Sequence, residues 1–298
     1  MKESTRIMLK KHGWRIDRFI HNYIYFAFYY PYVKIVQLFL PLLKRLTWFK
    51  PLQYVGDMAF SRYHGKVISL EDTRKIFTLD EDISAVSSTN KRIIPHKYAY
   101  KILFQEPDYI AVMDCPCKLA YGATPETINS CLAVGKGVAS FWLDHGEKYH
   151  ARKITQAEAL DLIKRLRKQG HITQAFFKVA TGGSSGVICN CHPDTCVSLK
   201  ASSITRHIRP DLSQNVESGY SVKCDQEKCN RCGTCEQICH FETITIADGM
   251  RTYDATACLG CGLCVEGCPN EALSLYVDAD KARPLDMDDV RKHYVTES

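Results

Sequence analysis

The sequence has 298 residues and a mass of 33.9 kDa, with 45% hydrophobic and 24% charged residues, the proportions of a folded chain long enough for two modest domains. Wholesale disorder and fibrous repeats are excluded, and a mean hydropathy of -0.22 leaves room for at most one membrane-contacting segment. The formal net charge of +6 is uneven: residues 1–50 hold ten Lys or Arg against Glu3 and Asp17, so the rest of the chain is slightly acidic and offers no basic nucleic-acid face.

Residues 19–43 (FIHNYIYFAFYYPYVKIVQLFLPLL) are rich in aromatic and aliphatic side chains but interrupted by His21, Asn22, Pro31, Lys34, Gln37 and Pro41. A cleaved leader would end in small residues, whereas this segment runs into Lys44 and Arg45. A spanning helix is long enough, yet Lys34 falls near its middle and basic residues crowd both ends, giving no inside-outside asymmetry. Two short amphipathic helices broken near Pro31 fit better, with Tyr and Phe at headgroup level and flanking Lys and Arg attracting anionic lipid. A basic helical arm docked on a partner protein is the alternative. Residues 1–50 thus read as a membrane- or partner-docking segment, and the expected location is cytoplasmic, peripheral on the inner face of the cell membrane.

From residue 51 the composition becomes that of a mixed domain, expected over 51–205. Asp108 to Met113 (DYIAVM) is a short apolar run that predicts a buried strand and delivers the chain to Cys115. A helix is predicted over 155–170: Thr155 and Glu158 form a capping-box signature, Ala159, Ile163 and Leu166 recur on one face, Asp161 and Arg165 are one turn apart, and Gly170 ends the run. A strand, ITQAFFKV, follows, then the turn signal Gly182, Gly183, Ser184, Ser185, Gly186. This helix-strand-turn, with Lys164, Arg165, Arg167 and Lys168, has the outline of a winged-helix DNA binder. No other basic patch supports that, so a solvated helix face is the simpler reading and nucleic acid is not an expected partner. The glycine-rich stretch lacks G-x-G-x-x-G, and no small-molecule substrate is indicated.

The strongest signal is an internal repeat. Cys229, Cys232, Cys235 and Cys239 are spaced x2, x2, x3, and Cys258, Cys261, Cys264 and Cys268 repeat that spacing at an offset of 29, as do Gly233 with Gly262 and Glu242 with Glu271. A cubane cluster takes four soft thiolate donors, and a C-x2-C-x2-C loop wraps three of them around one face. Zinc is the structural alternative for eight paired Cys, but the doubled frame is an iron-sulfur pattern. Over residues 219–277 the sequence closely resembles the bacterial-type ferredoxins that carry two 4Fe-4S clusters. The resemblance implies crosswise ligation, Cys229, Cys232 and Cys235 with Cys268, and Cys258, Cys261 and Cys264 with Cys239. It also implies that metal binding supplies folding free energy a core this small lacks. The family has Pro after the last Cys of each run; Pro269 is present, while His240 replaces the first, altering the local turn without removing a thiolate. Cys224, outside the frame, reads as a small packed hydrophobe.

Six further Cys lie upstream: Cys115 and Cys117 in DCPCK, Cys131, Cys189 and Cys191 in ICNC, and Cys196. A chain that assembles oxygen-sensitive clusters and shows no export signal is expected in a reducing compartment, which disfavours disulfides. Three readings stay open: a third iron-sulfur cluster, zinc, or unligated thiols in a core. Cys115, Cys117, Cys189 and Cys191 are the first choice of ligands, with Cys131 and Cys196 as substitutes or as ligands of a larger site. His192, directly after Cys191, is an alternative nitrogen donor or an ordinary polar turn residue. From IAVMDCPCK through ICNC the chain is also similar to a group of anaerobe iron-sulfur proteins that join a C-x-C region to a C-terminal ferredoxin.

The expected fold is α+β: an amphipathic helical segment (1–50), a cysteine-rich α/β domain (51–205), a ferredoxin-like dicluster domain (219–277) and a charged tail (278–298). The expected function is the relay of single low-potential electrons through two 4Fe-4S clusters, with a third metal centre upstream. Eight Asp or Glu against four Lys or Arg in 219–277 predict a redox partner with a basic docking patch. The alternatives are an oxidoreductase whose catalytic metal centre is built from the upstream cysteines, recognisable by an open coordination position, and a redox-sensing DNA-binding regulator.

Overall fold

The computed structural model describes residues 1–14, 16–45, 50, 54, 57, 63–86, 93, 101–178, 184–206 and 213–294. The N-terminal segment forms α1 (Glu3–His12), α2 (Ile16–Ala27) and α3 (Tyr29–Arg45). The break expected near Pro31 comes at Phe28; Pro31 sits in the first turn of α3, where a missing N–H costs no helical hydrogen bond. One side of this hairpin is buried through Phe26, Tyr29, Val33 and Leu40, with Phe26 5.5 Å from the Phe141 ring and 6.1 Å from Tyr149. The other side leaves Ile16, Ile20, Ile24 and Phe28, each one turn apart, and then Ile35, Leu38 and Phe39, 49–71% exposed. No helix among the described residues is long and apolar enough to cross a membrane.

The chain continues through β1 (Tyr63–Val67), α4 (Leu70–Phe77), β2 (Ile83–Val86), β3 (Lys101–Phe104), β4 (Ile110–Asp114), α5 (Pro116–Tyr121), α6 (Pro125–Ile128), β5 (Asn129–Val134), α7 (Lys136–His145), β6 (Arg152–Ile154), α8 (Gln156–Lys168), β7 (Ile172–Lys178), β8 (Ser184–Cys191), α9 (Val197–Arg206) and β9 (Asn215–Val216). These strands make one mixed sheet in the order β6-β4-β5-β8-β7-β1-β9, with β3 beside β8 and β2 beside β3. Both faces are covered, which is why β4 is buried at every residue. The two-residue period sorts the side chains. Ile110, Val112, Leu132 and Ile188 face the core under α4 and α8, while Ala111, Met113, Cys131, Ala133 and Cys189 face the opposite core, shared with α7 and the N-terminal hairpin.

The capping box predicted for α8 is formed: Glu158 N–H donates to Thr155 Oγ1 at 3.1 Å and Thr155 N–H to Glu158 Oε2 at 3.0 Å. Of its four basic residues Lys164, Arg165 and Lys168 are exposed, but Arg167 is buried, so the helix face is not uniformly solvated. The turn expected over Gly182–Gly186 is also displaced. Ser184, Ser185 and Gly186 already belong to β8, and Gly182 and Gly183 lie outside the described residues.

The C-terminal unit comprises β10 (Tyr220–Cys224), α10 (Thr234–Ile238), β11 (Ile244–Ala247), β12 (Met250–Tyr253), α11 (Leu263–Glu266) and β13 (Leu273–Val277), with β10 paired to β13 and β11 to β12. The sequence repeat is a backbone repeat: φ is positive at Arg231 and Gly260 (59° and 66°), at Gly233 and Gly262 (82° and 82°) and at Glu242 and Glu271 (54° and 48°). The core repeats too, Cys235 and Ile244 in one half answering Cys264 and Leu273 in the other. Residues 278–294, expected within a charged tail, return to the middle domain and end in α12 (Met287–Tyr294). Leu285, Met287 and Val290 are fully buried in the core under α4, and Lys75 pairs with Asp286 and Asp288 at 2.9 and 2.7 Å.

Candidate metal centres

Cys229, Cys232 and Cys235 from the first half of the repeat and Cys268 from the second line one cavity of ≈ 320 Å³, walled by Arg231, Gly233 and Pro269. Cys239 reaches the other way and neighbours Cys261 and Cys264, which stand beside Cys258. Backbone amides point at sulfur in both groups: Gly260 N–H to Cys258 Sγ at 3.3 Å and Ala272 N–H to Cys268 Sγ at 3.4 Å, contacts that favour thiolate. Burial pushes the Cys261 thiol up to about 11 and that of Cys264 higher, so both hold their protons until a cationic group displaces them. Among the described residues no three His, Cys, Asp or Glu side chains close on a single ion. The thiols border a space instead, as ligands of a multi-atom cluster must, and this donor set fits 4Fe-4S clusters. Cys224 is half-buried beside Cys229.

The two halves are unequally exposed. Cys232 is exposed and Cys229 half-buried, whereas Cys258 and Cys264 are buried. Around Gly260 the second loop presses on the connection to β10; a Cβ there would stand 2.2 Å from Ser218 Oγ and 2.3 Å from Tyr220 O.

Upstream, strand geometry explains the C-x-C spacing. Cys131 and Cys189 are cross-strand partners on β5 and β8 with Sγ atoms 4.0 Å apart, and one intervening residue puts Cys191 on the same face as Cys189. Cys115 ends β4 and starts α5, its N–H donating to Ile128 O at 2.8 Å and Pro116 taking the first helical position. Its thiol bonds Cys117 and Cys131, the Cys191 thiol bonds Cys189 and Cys196, and Cys196 neighbours Cys117. All six predicted residues thus form one closed run of thiols; five are buried and Cys117 is half-buried. The four first-choice ligands are not a separate set, because Cys131 joins the Cys115 pair to the Cys189 pair. Lys118, which sequence reading passed over, is 2% exposed among Cys115, Cys191, Cys131 and Cys196, with Nζ donating to Thr127 O at 2.7 Å. Its signal was a Lys directly after CPC. The Cys115 thiol is held well below its ordinary range by bonds from Cys117 and Cys131, with Lys118 a further favourable charge.

The ferredoxin unit is docked on this face of the sheet. Leu259 and Leu263 lie in the same apolar cluster as Cys115, Cys131, Cys189, Cys191 and Cys196. Beside them Arg167 Nε donates to both Glu266 carboxylate oxygens at 3.0 and 2.9 Å, Nη2 to Cys261 O at 2.5 Å and Nη1 to Thr173 Oγ1 at 3.2 Å. His192, weighed from sequence as a ligand or a turn residue, stands between the rings of His171 and His240.

The repeat, the crosswise placement of its thiols and the amides aimed at sulfur define a bacterial-type ferredoxin unit, so the chain is an α+β iron-sulfur protein of electron transfer. Residues 228–273 match the family described as 4Fe-4S dicluster domain. Over 67 residues the chain is 37% identical to an iron-sulfur component of the Na(+)-translocating ferredoxin:NAD(+) oxidoreductase complex of Acetobacterium woodii, a stretch covering 22% of this chain and 20% of that protein. The chain therefore spans about a fifth of the length of this curated relative.

Proposed function

We propose that the chain relays single low-potential electrons through two 4Fe-4S clusters and a third metal centre upstream. The observation that carries this reading is the crossing of the repeat, which sets Cys268 with Cys229, Cys232 and Cys235, and Cys239 with Cys261 and Cys264. Those residues and Cys258 hold the two clusters, and Cys115, Cys117, Cys131, Cys189, Cys191 and Cys196 hold the third centre. Bound clusters supply reversible one-electron chemistry at potentials set by hydrogen bonds to sulfur, charge and exposure. The protein contributes the Gly260 and Ala272 amides, the Arg167 guanidinium against Cys261, the Lys118 ammonium among the upstream thiols, and the burial that excludes water. Six thiols in one run favour a closed thiolate shell over an open substrate position, and hence a carrier over a catalyst. The acidic ferredoxin surface suits a redox partner with a basic docking patch. The exposed apolar ridge of α2 and α3, within a strongly basic segment, suits attachment to the inner face of the cell membrane.

Anaerobic iron and acid-labile sulfide analysis tests the relay: about eight irons per chain are expected for two cubanes and about twelve with a third. A value near four overturns the dicluster assignment. Replacing Cys115 and Cys117 by Ser should lower the higher count and leave the ferredoxin signals intact; an unchanged count means these thiols are only packed.

A further inference from the structure

The two thiol groups are joined by imidazoles. His192 follows Cys191 and His240 follows Cys239, and their rings meet edge to face with centroids 4.9 Å apart at 76°. His171 backs His192 at 5.3 Å. The outer rings are tethered, His240 Nε2 donating to Gly170 O at 2.8 Å and His171 Nδ1 lying 3.0 Å from Leu166 O. Gly170 takes φ +82°, and a Cβ there would stand 3.1 Å from His240 Nε2, so the glycine that ends α8 also admits this ring. Arg167 with Glu266, and Leu259 and Leu263 in the shared apolar cluster, hold the surrounding interface closed to water.

Electron tunnelling weakens steeply across empty space and more gently along bonds and packed atoms. The route Cys239–His240–His192–Cys191 is bonded except for one ring-to-ring step. The Cys229, Cys232 and Cys235 loop offers nothing comparable; it is the more exposed half of the repeat.

We propose that the His192–His240 contact is the electron conduit between the cluster anchored by Cys239 and the six-thiol centre, and that the Cys229 side is the outer station, where the redox partner docks. The inference rests on the upstream thiols holding a redox-active centre. One electron leaves one centre and reduces the other; no bond forms or breaks, and the imidazoles stay neutral and unoxidised.

The test uses the full chain, reconstituted anaerobically, as wild type, His192→Ala, His240→Gln and His240→Phe. His240→Gln keeps an N–H for Gly170 O and removes the ring; His240→Phe keeps a ring and removes the donor. Iron and zinc content report loading, and amide hydrogen exchange around α11 reports docking. Electrons are injected by a light-generated one-electron reductant, and freeze-quench electron paramagnetic resonance follows the ferredoxin and upstream signals. Expected are wild-type loading and protection in all variants, loss of the fast phase of the upstream signal in His192→Ala and His240→Gln, and its retention in His240→Phe. Unchanged kinetics at equal loading overturn the conduit. Slow transfer together with lost protection reduces His240 to a docking residue and overturns it too. Eight irons in wild type, or zinc upstream, overturn the third-centre reading first and the conduit with it.

Discussion

Arg167→Met tests whether one buried guanidinium holds the ferredoxin unit on the sheet. The side chain is 1% exposed and its donors reach Glu266, Cys261 O and Thr173 at 2.5 to 3.2 Å. Met fills the stem volume without a donor. Removing one partner of a fully buried ion pair costs about 3–5 kcal/mol, because the other charge is left uncompensated. Glu266 keeps 30% of its side chain exposed, so water reclaims part of its carboxylate and the cost falls to about 2–4 kcal/mol. That cost falls on the opening of the interface, which native-state hydrogen exchange reads directly. Exchange of the Ser218 amide, bonded to Leu259 O at 2.9 Å, and of the α11 amides should accelerate about 30- to 900-fold at tenfold per ~1.36 kcal/mol. Glu266→Gln should cost less, and the two losses should not add in the double variant, since they share one interaction. Unchanged protection in Arg167→Met, or full additivity, refutes the argument. The guanidinium also favours negative charge at Cys261, so the variant should be harder to reduce at the Cys239-side cluster.

Other consequences are as direct. Lys66 is fully buried with Nζ 3.0 Å from Glu217 O, and burial lowers it to about 7, so between pH 7 and 10.5 the unfolded chain binds the extra proton and stability rises with pH; relative to Lys66→Met, urea unfolding at pH 9 should gain about 2 kcal/mol over pH 7, and parallel trends would refute this. Gly260→Ala forces a Cβ onto Ser218 and Tyr220 at φ +66° and should cost at least about 1–3 kcal/mol of strain, seen as lost cluster loading at 37 °C; a fully loaded, equally stable variant contradicts the close approach. Leu285→Ala should cost about 2–5 kcal/mol in chemical unfolding, whereas a merely solvated tail would change stability by under about 0.5 kcal/mol. Ile24→Glu with Leu38→Glu should abolish flotation with anionic liposomes while leaving stability near wild type; persistent flotation removes the exposed ridge from the membrane reading.

Several elements were legible because their signals are local. The Thr155–Glu158 box closes within one turn of α8, DYIAVM predicts β4 because a strand covered on both faces needs an unbroken apolar run, and the repeat at an offset of 29 carries positive φ at matching positions. Where the reading slipped, a local cue was overruled. Gly186 and its serines extend β8 because ladder bonds to β7 outweigh turn propensity, and Pro31 does not break the hairpin because a helix start tolerates it. The tail looked solvated because its three buried apolar residues are scattered among charges.

Spacing by itself determined the thiol frames, since four donors for a cubane and one intervening residue in a strand are demands met within a few residues of chain. Only the tertiary structure decided which frames meet. Cys131 pairs with Cys189 across 58 residues and Arg167 with Glu266 across 99. Lys118 among the thiols and the contact of His192 with His240 likewise come from sheet register and domain docking. These juxtapositions arise from burying two apolar surfaces together, and no local pattern encodes which surface a segment will meet.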